Sequence, residues 1–388
     1  MSRGERSQGD RAQGNQSEVQ LPLTLEVAAE HRRWEAQLLQ QPVPSIRALT
    51  SAVNRCAKYH QKLGAQLARS SGPWQQDTVA ALEANRAMFA RLRHMAFAQM
   101  AQWDAWLCAQ VLWASASMEV PLSAADKREP SGSLEAELQR ELLRLLPTAN
   151  EQAIANSLWA ASKLGWQLES QLSAAAEAAL QRELPQMTTQ AVANTIWAYA
   201  NGSWQPRSRL AAALQRQLPL SLPTCTPQNV ANSLWAASKL GWQLDSQPAA
   251  AAEAAVLREL PQMNAPNVAN TIWAYANGGW QPSSMLAAAL QRQLPLVLPT
   301  ANPQNVANSL WAASKLGWQL DSQVAAAAEA AVLRELPQMN AQNVANSIWA
   351  YANGGWQLSR SLEAALQHRL PRIVPVANAV GIMQIHFG

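Results

Sequence analysis

The sequence predicts an all-α protein, an α-solenoid superhelix of six 38-residue helix-turn-helix repeats. Three observations carry this. Trp159, Trp197, Trp235, Trp273, Trp311 and Trp349 stand 38 residues apart, and Trp166, Trp204, Trp242, Trp280, Trp318 and Trp356 each follow seven residues behind. Helix start and stop signals recur at fixed offsets within every period. The composition is that of one unit copied many times, with 17 Trp against 3 Phe and 4 Tyr.

Taken in chain order, residues 1–20 are polar and lack the apolar stretch of a secretory signal, and they read as a disordered N-terminus. Residues 21–147 hold helical runs broken by Pro, Gly and Ser. They read as a helical region of degenerate repeats capping the array, a separate helical region being the alternative. Within it, AQWDAWLCAQVLWASASMEV looks like a decayed first helix with Trp113 in the Trp slot. The polar stretch SAADKREPSGS forms a longer loop behind it.

Residues 148–375 are the six-repeat solenoid. Nine residues before each first Trp stand Asn150, Thr188, Thr226, Asn264, Asn302 and Asn340, side chains that cap helix N-termini. Pro227 and Pro303 follow at the first helical position. Gly165, Gly241 and Gly317 end the first helix. Ser170, Ser208, Ser246, Ser284 and Ser322 are placed to cap the second helix, which stops before Pro185, Pro223, Pro261, Pro299, Pro337 and Pro375. The Ala-rich second helices are expected to approach closely, and the first-helix Trp residues to lie buried between repeats. Residues 376–388 resemble the start of a further repeat, cut short, or a tail.

The units alternate. Odd copies read NSLWAASKLGWQL and even copies N(T/S)IWAYANG(G/S)WQ, so a 76-residue pair was the unit duplicated.

The net charge of +4 and pI near 9.1 are mildly basic. From Thr148 onward thirteen Lys and Arg face eleven Asp and Glu. Three scattered cysteines make no disulfide framework and point to a reducing compartment. No apolar run is long enough for a membrane span. Phosphate-loop, dinucleotide and HExxH motifs are absent, and Cys56 with His60 alone makes no zinc site. The expectation is therefore binding and not catalysis, with no cofactor, no metal and no duplex DNA.

On a helical wheel Val230, Ala231, Leu234 and Trp235 fall on an apolar arc, and Asn229, Asn232, Ser233 and Lys239 on the other side. An Asn recurs in all six repeats: Asn156, Asn194, Asn232, Asn270, Asn308 and Asn346. Four residues after the Trp the chain alternates Lys163, Asn201, Lys239, Asn277, Lys315 and Asn353. Amides suit the edges of unpaired bases, and lysines reach phosphates. These twelve residues are the candidate RNA-binding set. The alternative is that the Asn row is a structural ladder and the alternation a record of duplication. Two residues after the Trp the series Ala161, Tyr199, Ala237, Tyr275, Ala313, Tyr351 alternates too, with Tyr either packed or offered to a base.

The repeated phrase (P)QNVAN(S/T)(L/I)WAxA(K/N)xGW resembles the octotricopeptide repeats of algal organellar proteins and the related repeats found beside RAP domains. The resemblance covers about 60% of the chain. It implies an α-solenoid that binds single-stranded RNA in a chloroplast or mitochondrion and acts in transcript maturation, stability or translation. The family's Pro-rich start of the second helix is reduced here to Pro206 and Pro282. A scaffold that holds a peptide or partner protein in its groove is the competing expectation.

Overall fold

The computed structural model describes residues 22–67, 73–118 and 132–380, and among these it contains helices and turns but no strand. The expectations for residues 1–20, for most of the loop around residue 125 and for the last eight residues lie outside them. The chain divides into two compact units, residues 1–97 and 98–388.

In the first unit α1 (Leu23–Trp34) runs into a wide turn at Glu35–Leu39 and is followed by α2 (Ile46–Leu67) and α3 (Pro73–Phe97). At 22 and 25 residues, α2 and α3 are much longer than the helices of the 38-residue units. They pack lengthwise through Leu49, Val53, Cys56, Leu63, Phe89 and Leu92. His31 Nε2 lies 3.1 Å from Asn85 Oδ1, and Asn85 Nδ2 donates to the Cys56 carbonyl at 2.8 Å. Burial holds the His31 pKa below its usual 6.5. A histidine held neutral by folding contributes stability that is present above about pH 6.5 and is lost as the pH falls. Urea titration of the chain at pH 7.5 and pH 5.5 should show this unit losing stability at the lower pH, and His31→Gln should flatten the dependence.

The second unit is a stack of helix pairs. The first pair, α4 (Ala105–Ser117) and α5 (Gly132–Leu145), precedes the six regular ones. Asp104, nine residues before Trp113, caps α4 by accepting from Leu107 N at 2.8 Å. Helices α4 and α5 thus repeat the helix-pair plan.

The regular first helices are α6 (Glu151–Lys163), α8 (Thr189–Asn201), α10 (Pro227–Lys239), α12 (Ala265–Gly278), α14 (Pro303–Lys315) and α16 (Ala341–Gly354). The second helices are α7 (Ser170–Glu183), α9 (Ser208–Ser221), α11 (Ser246–Glu259), α13 (Ser284–Val297), α15 (Ser322–Glu335) and α17 (Arg360–Val380). All six expected first-helix caps form, with the side chain accepting the N–H three residues on at 2.8–3.3 Å. Gly165, Gly241 and Gly317 take positive φ where the odd first helices end.

The second helices depart from expectation in three ways. Their caps lie one residue earlier than the predicted serines. Ser283, Asp321 and Ser359 accept from Leu286 N, Val324 N and Leu362 N, while Glu169, Arg207 and Asp245 hold the cap position without a side-chain bond. Helix α17 runs on through Pro375 to Val380. The close layer is also the other one: each first helix packs lengthwise on the next from α4 to α16, while second helices meet only locally. Fully buried Ala, Ser and Thr along the first helices, such as Ala231, Ser233 and Ala236, allow that approach.

Two kinds of joint alternate along the stack. From an odd repeat to the next even one, Asn201, Asn277 and Asn353 donate Nδ2 to the carbonyls of Ser162, Ser238 and Ser314 at 3.1–3.2 Å. At the same joints Glu177 and Glu253 accept from the N–H of Arg207 and Ser283, and Glu329 from the hydroxyl of Ser359. The joints before odd repeats instead carry Arg182, Arg258 and Arg334. Each donates Nη2 to two carbonyls between the preceding second helix and its own first helix, as Arg258 does to Leu222 at 3.0 Å and Cys225 at 3.2 Å. Leu220 and Leu296 occupy the matching place in repeats two and four and are exposed, whereas in repeat six Arg369 donates to the Met339 carbonyl at 3.0 Å. Arg258→Ala leaves the Cys225 carbonyl without its donor and the Leu222 carbonyl with only the Cys225 N–H, and should cost about 1–3 kcal/mol in urea titration.

Cys56, Cys108 and Cys225 are buried and unpaired. Burial pushes the Cys108 and Cys225 thiols up to about 12 and about 11, and Cys56 higher still.

Candidate nucleic-acid interface

Every first helix shows one exposed face. Relative to the Trp, positions −7, −3, 0 and +4 fall within about 60° of one another at 100° per residue. In the third repeat these are Gln228, Asn232, Trp235 and Lys239, all half-buried or exposed, while Val230, Ala231, Ser233, Leu234, Ala236 and Ala237 are buried. The same pattern holds in α4, with Trp106, Gln110, Trp113 and Ser117 facing out.

The first-helix Trp residues are thus not the buried wedges expected from their size. Trp159, Trp197, Trp235, Trp273, Trp311 and Trp349 are all half-buried. The reason lies in the wheel: a residue at 0° sits beside Asn at 60° and Lys at 40°, on the edge of the polar face. The buried indoles are those of the second series, Trp166, Trp204, Trp242, Trp280 and Trp318, at 2–9% exposure.

The outward Trp residues stack into a ladder. Successive ring centroids are 5.9, 6.2, 6.2, 6.2 and 6.1 Å apart, with planes inclined by 31–36°. Packed helix axes lie about 8–10 Å apart. The indoles therefore lean toward one another along the stack, closer than helix axes usually lie. The ladder has no room for a base to slide between its rungs, and a ligand meets its edges.

The fixed Asn row lies beside the ladder. Asn156, Asn194, Asn232, Asn270, Asn308 and Asn346 are half-buried and make no side-chain hydrogen bond among the described residues. They do not form an amide ladder; their donors and acceptors face the groove unengaged.

The alternating row divides. Asn201, Asn277 and Asn353 are committed to the joints just described. Lys163, Lys239 and Lys315 are exposed and end their helices. Lys315 Nζ lies 5.1 Å from the Trp311 ring centroid, over the indole face. One carboxylate, Glu151, borders the stripe.

The alternating tyrosines are core. Tyr199, Tyr275 and Tyr351 are 1–6% exposed and meet Trp204, Trp280 and Trp356 edge-on at 5.7–6.1 Å. Burial drives the Tyr351 phenol up to about 12, and those of Tyr199 and Tyr275 higher. They offer no surface to a base.

Between α14 and α16 the groove deepens into a cleft of about 400 Å³ lined by Gln304, Asn308, Gln342 and Asn346 together with residues at the two helix starts. The sequence reading named Asn308 and Asn346 but missed the glutamines. Their signal was present, since Gln152, Gln190, Gln228, Gln304 and Gln342 recur seven residues before the Trp, with Pro266 in the fourth repeat. Among the described residues no group of three or more His, Cys, Asp or Glu is placed to hold a metal ion, and no helix is long and apolar enough to cross a membrane. No protein-family model matches this sequence, and no curated protein is similar enough to match it.

Proposed function

We propose that the exposed face of the first helices binds single-stranded RNA, one nucleotide per repeat. The observation that carries this reading is the exposed stripe itself. Outward indoles recur about every 6 Å, and each repeat adds an uncommitted amide and each odd repeat an exposed lysine. The indole edges offer apolar contact to bases irrespective of sequence, amides read base edges, and Lys163, Lys239 and Lys315 neutralise phosphates. Following the resemblance to octotricopeptide repeats, the process served is organellar transcript maturation, stability or translation, in a chloroplast or mitochondrion.

An extended peptide is the second reading. Two residues of a strand rise roughly 6.4–6.8 Å, close to the ladder spacing, and the Asn row could pair with a peptide backbone. The three lysines against a single bordering carboxylate favour an anionic polymer.

Fluorescence anisotropy with a labelled single-stranded 12-mer, repeated across salt concentrations, tests the proposal. Three phosphate contacts predict a log–log salt slope of about −2. Binding of peptides with no salt dependence, and of no RNA, would overturn it.

A further inference from the structure

We infer that the cleft between the first helices of repeats five and six is a base-reading pocket for one unpaired adenine. The inference rests on the RNA reading of the groove and adds the place where sequence is recognised. Gln304 and Asn308 come from α14 and Gln342 and Asn346 from the facing α16; every other lining residue except Pro303 is also an amide-bearing residue. None of these four side chains has a hydrogen-bond partner among the described residues. The cleft's volume of about 400 Å³ lies within the roughly 300–1,000 Å³ of small-molecule sites.

The lining selects its occupant. With no charged side chain in the wall, a phosphate or carboxylate finds no counter-charge there. An apolar group would leave the amides unpaired. A flat neutral group with donors and acceptors on more than one edge satisfies them. Adenine offers an adjacent donor and acceptor at N6 and N7, the pair an amide bonds in bidentate fashion, and a second such pair on its Watson–Crick edge. Amides on two facing helices can hold both edges. Guanine presents two acceptors on its N7 edge, which call for Arg or Lys.

The rest of the nucleotide has a place on the same face. Trp311 and Lys315 follow Asn308 by three and seven residues. Lys315 thus stands roughly 10 Å further along the helix, where it can meet a phosphate while the base edge points to the helix start. The other odd-to-even clefts differ. Repeat four has Pro266 in place of Gln342, and repeat three has Thr226 in place of Asn302. Between repeats one and two, Glu151 stands in place of Pro303, Thr188 in place of Asn340 and Ala191 in place of Asn343.

The test compares an all-uridine RNA 12-mer with the same strand carrying one central adenine, on the full chain. The adenine strand should bind on the order of tenfold tighter. Gln342→Pro, which copies the repeat-four residue at a position where helices accept proline, should erase that advantage, so that within this variant the adenine and uridine strands bind alike. Lys239→Ala should weaken both strands equally. Equal binding of the two strands, or an adenine preference that survives Gln342→Pro, overturns the inference and leaves the RNA reading standing. Failure of either strand to bind overturns both.

Discussion

Trp242→Ala is expected to destabilise the array by about 3–5 kcal/mol, the usual loss for a large aromatic taken from a core. Trp242 is 6% exposed. Its backbone N–H, which alanine would keep, donates back to the carbonyl of Ala237 at 3.0 Å and closes the end of α10. Trp235→Ala, seven residues earlier, should cost only about 1–2 kcal/mol, the stacking it makes with Trp197 and Trp273 plus partial burial. The order reverses for the ligand. Trp235→Ala should weaken RNA binding by about 1 kcal/mol, the low end for a base against an aromatic ring, since only its edge is open to a ligand, while folded Trp242→Ala binds nearly as the parent does. Urea titration followed by circular dichroism and anisotropy on the same samples separates the two series. Equal losses of stability would contradict the assignment of faces.

The second large effect concerns the alternation. A Cβ on Gly278 would lie 2.5 Å from Cε2 of Trp280, and the same conflict exists at Gly202 with Trp204 and at Gly354 with Trp356. In odd repeats that place holds Leu164, Leu240 or Leu316, and the Tyr two residues after the outward Trp is replaced by Ala. In even repeats the buried Tyr takes the room beside the indole, and the indole lies over the glycine. Gly278→Leu alone should therefore cost more than about 3 kcal/mol through overpacking and displaced rings. Tyr275→Ala alone should cost about 3–5 kcal/mol through its cavity. The double substitution restores the odd-repeat pairing. It should recover about 1–3 kcal/mol relative to the sum, a coupling that a double-mutant cycle in urea measures. Strict additivity would show that Tyr and Gly do not share one space.

The alternation read from the sequence thus has a structural content that the letters alone do not display. Lys against Asn at the fourth position after the Trp looked like one variable contact row. The structure separates it into lysines that stay in solvent and asparagines tied to the carbonyls of Ser162, Ser238 and Ser314 one repeat back. Joints closed by Asn and Glu alternate with joints closed by Arg182, Arg258 and Arg334. The 76-residue pair is therefore a mechanical unit as well as the unit of duplication.

The period, the helix pairs, the first-helix caps and the glycine stops followed from the sequence alone. Each is a local matter: a side chain three residues from the N–H it caps, a glycine at its own positive φ, a spacing that recurs without insertion. Tertiary structure decided which helix layer packs closely, which Trp series is buried, and which amides remain free. These depend on neighbours 38 residues away, where one rotation of a helix about its axis exchanges core for groove. A tryptophan at the edge of a polar arc reads as core by its size. Only stacking against its copies in adjacent repeats brings it half out of the interior and makes it part of the surface a ligand would meet.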